Sequence, residues 1–260
     1  MNLYFLFRYS KLFRVIWGIL LLGPSLLFRI LVLFKRLFTT PVAVSIPVIG
    51  IGNLTVGGTG KTPFTIKLTK YLKDSGYLPV VFTTGYKSGE YDGKIISDES
   101  EEIINSVQGI EVIPGKNRLE NLLKRQEKGN FDIAVLDDAF QQWKIKKNLD
   151  ILLIDSTFPF GNGLTLPAGI LREPVSSLKR ADIVILTHSN DVPDESIEKI
   201  IQRINKVNRD THVFKSRHII SSFSDPENKD VPVKNLTGKK AIILSGIANP
   251  FSFNNSLNDC

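Results

Sequence analysis

Residues 49–63 read IGIGNLTVGGTGKTP: an apolar strand, a glycine-rich turn, and then Lys61-Thr62 opening a helical segment. Phosphate binding requires that order. Glycine at 57, 58 and 60 lets backbone N–H groups converge on phosphate oxygens, so Thr55, Val56, Gly57, Gly58, Thr59 and Gly60 form a candidate nucleotide loop. Lys61 can neutralise the outer phosphates, Thr62 can offer its hydroxyl to Mg2+, and the helix dipole adds positive potential. The usual pattern has glycine where this chain has Thr55.

Three further segments carry groups suited to the same chemistry. FDIAVLDDAFQQ places Asp137 and Asp138 at the carboxyl end of an apolar strand, where a carboxylate can hold a metal or its waters. Adjacent strand residues face opposite ways, so the two aspartates are expected to divide the work. GNGLTLPAGILREP surrounds Arg172 and Glu173 with glycine and proline; a stiff loop of this kind can hold a guanidinium for phosphate and a carboxylate for metal or a hydroxyl. An exposed Arg–Glu pair of no consequence is the competing reading. SDES, at 97–100, has two readings as well: a helix start with acids at the positive dipole end, or a site where Asp98 serves as general base. His188, His212 and His218 show no metal-ligand spacing.

These groups need a scaffold that brings strand ends together. IPVIGIGN, PVVFTTG, IEVIPG, FDIAVLDD, LDILLID and ADIVILT are short β-branched runs, spaced by helical periodicity at Lys61–Asp74, Glu99–Ser106, Arg118–Lys128 and Glu195–Val207. Strands alternating with helices imply parallel βαβ units, and 42% hydrophobic residues supply a packed core. The expected fold is α/β, a P-loop NTPase-like, mostly parallel sheet flanked by helices. The organisation expected is a membrane-associated helical segment over 1–40, a P-loop core over 41–221, a linker or hairpin over 222–237, and the start of a further strand and helix over 238–260.

The net charge of +7 is unevenly placed. Residues 1–40 hold Arg8, Lys11, Arg14, Arg29, Lys35 and Arg36 and no acid, interleaved with apolar runs. Cations beside apolar stretches suit anionic headgroups of a cytoplasmic leaflet, whereas nucleic-acid binding calls for a basic stripe within the folded domain. The uncharged run from Val15 to Phe28 is shorter than the roughly 20 residues of a simple span. With Pro24 inside it, a short or kinked helix is expected, monotopic or marginally spanning; a signal peptide is the competing reading. A lone cysteine, Cys260, excludes an internal disulfide framework and fits a reducing compartment.

GNLTVGGTGKTP, LDDAFQQ, GNGLTLPAGILREP, RADIVILT and SGIANP, in this order, resemble the tetraacyldisaccharide 4'-kinases, the lipid A 4'-kinases. That family's loop also lacks the first glycine, in agreement with Thr55. The resemblance implies ATP-dependent, Mg2+-assisted phosphorylation of the 4'-hydroxyl of an acylated glucosamine disaccharide 1-phosphate at the cytoplasmic face of the bacterial inner membrane. It implies no nucleic acid and no particular protein partner. It assigns nucleotide binding to Lys61, Thr62 and Arg172, metal binding to Thr62, Asp137, Asp138 and Glu173, and catalysis to Lys61, Asp138 and the base Asp98. Departures stand at TTGYKS, where Thr84 replaces an arginine, at SDES in place of GDEP, and at Gln142 in place of a histidine. Family members also continue into a smaller second domain with a DHH-like motif, so a truncated second lobe is expected here.

Overall fold

The computed structural model describes residues 3–85, 89–91, 94–96, 98–217, 219–220, 222–227, 229–235, 238, 242–244, 253–254 and 256–257. Tyr86, Lys87, Ser97, His218, Cys260 and the SGIANP segment lie outside them.

Seven parallel strands form the sheet: β1 (Val48–Asn53), β2 (Pro79–Thr83), β5 (Glu111–Pro114), β6 (Ile133–Leu136), β7 (Leu149–Asp155), β8 (Ile183–Thr187) and β9 (His212–Lys215). Their order is β5-β2-β6-β1-β7-β8-β9. Two short antiparallel pairs stand apart, β3 (Gly89–Tyr91) with β4 (Lys94–Ile96) and β10 (Ser222–Ser224) with β11 (Asp230–Pro232). The helices are α1 (Leu3–Tyr9), α2 (Lys11–Leu20), α3 (Leu22–Leu37), α4 (Lys61–Asp74), α5 (Asp98–Ser106), α6 (Arg118–Glu127) and α7 (Asp194–Asn205).

The strands read as apolar runs because both faces are covered. Alternate residues of β2 show this. Val80 and Phe82 pack with Leu122 of α6, whereas Val81 packs with Leu72 of α4 and Ile103 of α5. Ile197, Ile200 and Ile204, one stripe of α7, close the β7–β8 end against Leu152 and Ile154.

With every strand parallel, the loops after β1, β2, β5, β6 and β7 leave from one edge of the sheet, and ligands of open α/β sheets bind outside that carboxyl edge. β1 lies between β6 and β7, which brings three chemistry-bearing segments together. Gly52 is required here. A Cβ on it would stand 2.5 Å from the Phe140 backbone nitrogen, so any side chain would push away the turn that follows Asp138.

α2 and α3 meet at 72°. The bend falls at Leu21 and not at Pro24, which sits in the first turn of α3, where a missing N–H costs nothing. No single helix among the described residues is long and apolar enough to cross a membrane, although this bent pair has the length and composition to do so. Leu12, Ile16, Ile19, Leu27, Leu31 and Phe34 are exposed along it, while its other side is anchored. Trp17 Nε1 donates to the Pro167 carbonyl at 3.0 Å, and Ser25 Oγ donates to the Thr165 carbonyl at 2.8 Å. Arg8 of α1 forms a buried ion pair of 3.0 Å with Asp155 at the end of β7.

Candidate active site

A cavity of about 670 Å³ opens at the carboxyl edge of the sheet. Gly57, Gly58, Thr59, Gly60, Lys61 and Thr62 form one wall, with Asp138 and Arg172 beside them and Thr84, Glu99, Glu102 and Lys116 also on its wall. Gly57 and Gly60 have φ of 107° and 79°, the left-handed region that an L side chain resists. Gly60 is the residue before α4, and no side chain caps that helix. Its first N–H groups are therefore left for an anion, aided by the dipole.

Thr55 and Val56 stand behind the loop and do not line the cavity. Thr55 bridges Leu171, the Val56 N–H donates to the Ile170 carbonyl at 2.8 Å, and the Arg172 N–H donates to the Leu54 carbonyl at 2.7 Å. These two residues brace the glycines against the 161–172 loop. Thr187 Oγ1 fixes the loop from beneath by donating to the Thr59 carbonyl at 3.1 Å.

The two aspartates separate as expected, but in the turn that follows β6 and not within the strand, so their partners and the left-handed backbone of Asp138 set the directions. Asp138 lines the cavity, with Arg172 Nη1 at 2.8 and 2.9 Å from its two oxygens and Lys61 Nζ at 3.7 Å. Burial alone would raise its carboxyl, but Lys61, Arg172 and Arg118 outweigh it and hold the group below the usual aspartate range. Asp137 is 1% exposed and accepts from Thr65 Oγ1 at 2.9 Å. Burial dominates there and raises its carboxyl, with Lys61 opposing.

Glu173 is also turned inward, 1% exposed, accepting from Arg180 at 2.9 Å and from Gln141 at 3.0 Å. Of the four residues expected at the metal, Thr62 and Asp138 line the cavity, and Asp137 and Glu173 do not. Among the described residues, no group of three His, Cys, Asp or Glu side chains could hold a metal. The hydroxyl of Thr62 and the carboxylate of Asp138 are a donor set of the kind that holds Mg2+ together with substrate phosphates and water.

Asp98, the expected base, is exposed at the first residue of α5 and off the cavity wall; Glu99 next to it is half-buried and on that wall. Burial raises the Glu99 carboxyl, Asp137 adds to the rise, and Lys61 opposes it. Sequence reasoning also passed over Arg118. This nearly buried guanidinium donates to the Asp137 carbonyl and, at 3.2 Å, to the Asp138 carbonyl, holding the turn in which Asp138 takes φ 47°. Nothing local to RLENLL marks that reach across the fold.

The profile of the family described as tetraacyldisaccharide-1-P 4'-kinase matches residues 17–260. The chain belongs to this family. Relatives named tetraacyldisaccharide 4'-kinase include that of Syntrophobacter fumaroxidans, 36% identical over 79% of this chain and 57% of its own length. That of Halothermothrix orenii is 34% identical, over 87% of this chain and 67% of its own. That of Geobacter metallireducens is 35% identical, over 82% and 64%. The chain thus spans from 57% to 67% of the length of these family members. Among solved structures, LpxK from Aquifex aeolicus in complex with ATP superimposes with a TM-score of 0.68 at 26% identity, covering 93% of this chain and 78% of that one.

Proposed function

We propose that this chain binds ATP in the glycine-walled cavity and transfers its γ-phosphoryl group to the 4'-hydroxyl of a tetraacyldisaccharide 1-phosphate. The observation that carries the reading is the convergence of Lys61, Thr62, Asp138 and Arg172 on the uncapped start of α4. Family membership and the fold shared with an ATP-bound relative point the same way.

In the proposed reaction the substrate oxygen bonds to the γ-phosphorus as the bond to the bridging oxygen of ADP breaks. Loop N–H groups and Lys61 receive the outer phosphates, and Arg172 meets the charge that spreads over the transferred group. Thr62 and Asp138 would hold Mg2+, which neutralises phosphate charge when bound. The hydroxyl proton passes to a carboxylate at the start of α5, assigned to Asp98 by the motif, with Glu99 beside it on the wall. α2 and α3 are hydrogen-bonded to the 161–172 loop that also carries Arg172, and their exposed apolar face fits docking on the inner membrane, where a lipid with several acyl chains resides.

The test is transfer of labelled phosphate from ATP to tetraacyldisaccharide 1-phosphate in detergent micelles by this chain. Lys61→Ala should abolish it; transfer that survives the substitution rules out the site.

A further inference from the structure

A second cavity, of about 370 Å³, lies at the opposite edge of the sheet, beside the first residues of β7 and β8. Its wall carries Arg36, Lys146, Lys147 and Arg180 against Asp150 and Asp182. Both acids have internal tasks. Asp150 holds Lys147 at 2.6 Å, and Asp182 accepts the Asp150 backbone N–H at 2.7 Å. The remaining cations are less well matched. Arg180 uses Nη2 for Glu173 and the Phe140 carbonyl, while its Nη1 is buried without an acceptor, as is Nε1 of Trp143 on the same wall. Asp150 Oδ1 is also unpartnered. Arg36 makes no ion pair among the described residues, and burial followed by the charge of Arg180 lowers its guanidinium below its ordinary value. Two guanidiniums that repel one another, together with a buried indole donor, form an anion site in chemical terms.

We propose that this cavity binds the phosphomonoester headgroup of a bilayer lipid. The source follows from what leads to it. The exposed apolar residues of α3 (Leu27, Leu31, Phe34, Leu37) end in the turn that holds Lys35 and Arg36, and Phe38 next to it is 81% exposed. A helix lying in the interface by this face carries Arg36 to headgroup depth. A phosphomonoester matches planar guanidinium donors better than a zwitterionic headgroup does. From this cavity a hydrogen-bonded chain runs Arg180, Glu173, Gln141, Arg172, Asp138, which joins it to the nucleotide site. The inference rests on the membrane reading of α2 and α3 and not on the kinase chemistry.

The test is sedimentation of the full chain with phosphatidylcholine vesicles, with and without phosphatidic acid. Wild type should bind both and prefer the acidic ones. Arg36→Ala should lose at least roughly fivefold more of that preference than Lys35→Ala, which removes an equal surface charge outside the cavity. ATP binding serves as the check that each variant is folded. Equal losses in the two variants would overturn the proposal. So would saturable quenching of Trp143 by inorganic phosphate, in a Trp17→Phe background, without any vesicle preference, because free phosphate would then be the ligand. If neither vesicle is bound, the membrane premise fails and the proposal with it, while the kinase reading stands or falls separately on Lys61→Ala.

Discussion

Arg172 Nη1 lies 2.8 and 2.9 Å from the two oxygens of Asp138, so one nitrogen is shared by both ends of the carboxylate that Lys61 also approaches. Nucleotide arrival must redistribute these contacts, because phosphate competes for both cations. Arg172→Ala should therefore leave the fold intact and lower kcat by about a hundredfold to a thousandfold, the usual loss for one preorganised transition-state donor. Steady-state kinetics of phosphoryl transfer, with thermal melting as the control, would show it; an unchanged kcat would exclude Arg172 from the reaction.

Glu99 places negative charge on the wall where a triphosphate must sit. Its carboxyl is raised by burial and by Asp137, so it takes up a proton at a higher pH than a free glutamate does. Falling pH should then tighten ATP binding as the charge disappears. Glu99→Gln should bind ATP more tightly near neutrality and lose that pH dependence, whereas Asp98→Asn should lower kcat with little change in ATP affinity. Calorimetric titration at several pH values separates the two.

Asp155 offers a test of acid stability. Burial would raise its carboxyl, but the His188 hydrogen bond and charge, Thr157 and Arg8 pull it down to about 2. A carboxyl lower in the folded state stabilises the fold above its unfolded value near 4, and the contribution disappears as pH falls toward 2. About 2 kcal/mol is at stake. Asp155→Asn should cost about that much at pH 7, with the difference from wild type narrowing below pH 4. Urea denaturation across that range measures it.

Part of this was legible in the sequence because the glycine loop that carries Lys61 and Thr62 follows β1, and Asp138 follows β6; pattern alone places such positions on one edge of a parallel sheet. Arg172 was marked instead by the glycines and prolines of the loop that holds it. The orientation of a side chain at a turn is a different matter. Asp137 and Glu173 point inward because Thr65, Gln141 and Arg180 receive them, and those partners come from other elements. Thr55 and Val56 read as phosphate ligands until their pairing with the 170–171 strand-like segment is seen. β9 is not legible in HVFK, because an edge strand largely open to solvent carries little apolar pattern.

Gly52 offers a test of the scaffold. An added methyl would stand 2.5 Å from the Phe140 nitrogen and 2.6 Å from its Cβ. Gly52→Ala should destabilise the fold by about 1–3 kcal/mol, as overpacking does, and should weaken nucleotide binding through the displaced Asp138 turn. Retention of full ATP affinity would mean that the turn tolerates displacement.

The segment from 161 to 172 touches two partners at once. Its Pro167 and Thr165 carbonyls receive Trp17 and Ser25 from the amino-terminal helices, and its Ile170 carbonyl receives Val56 of the glycine loop. These hydrogen bonds tie the placement of α2 and α3 to that of the glycine loop, so a change in the seating of the amino-terminal helices should register in how tightly the loop holds ATP.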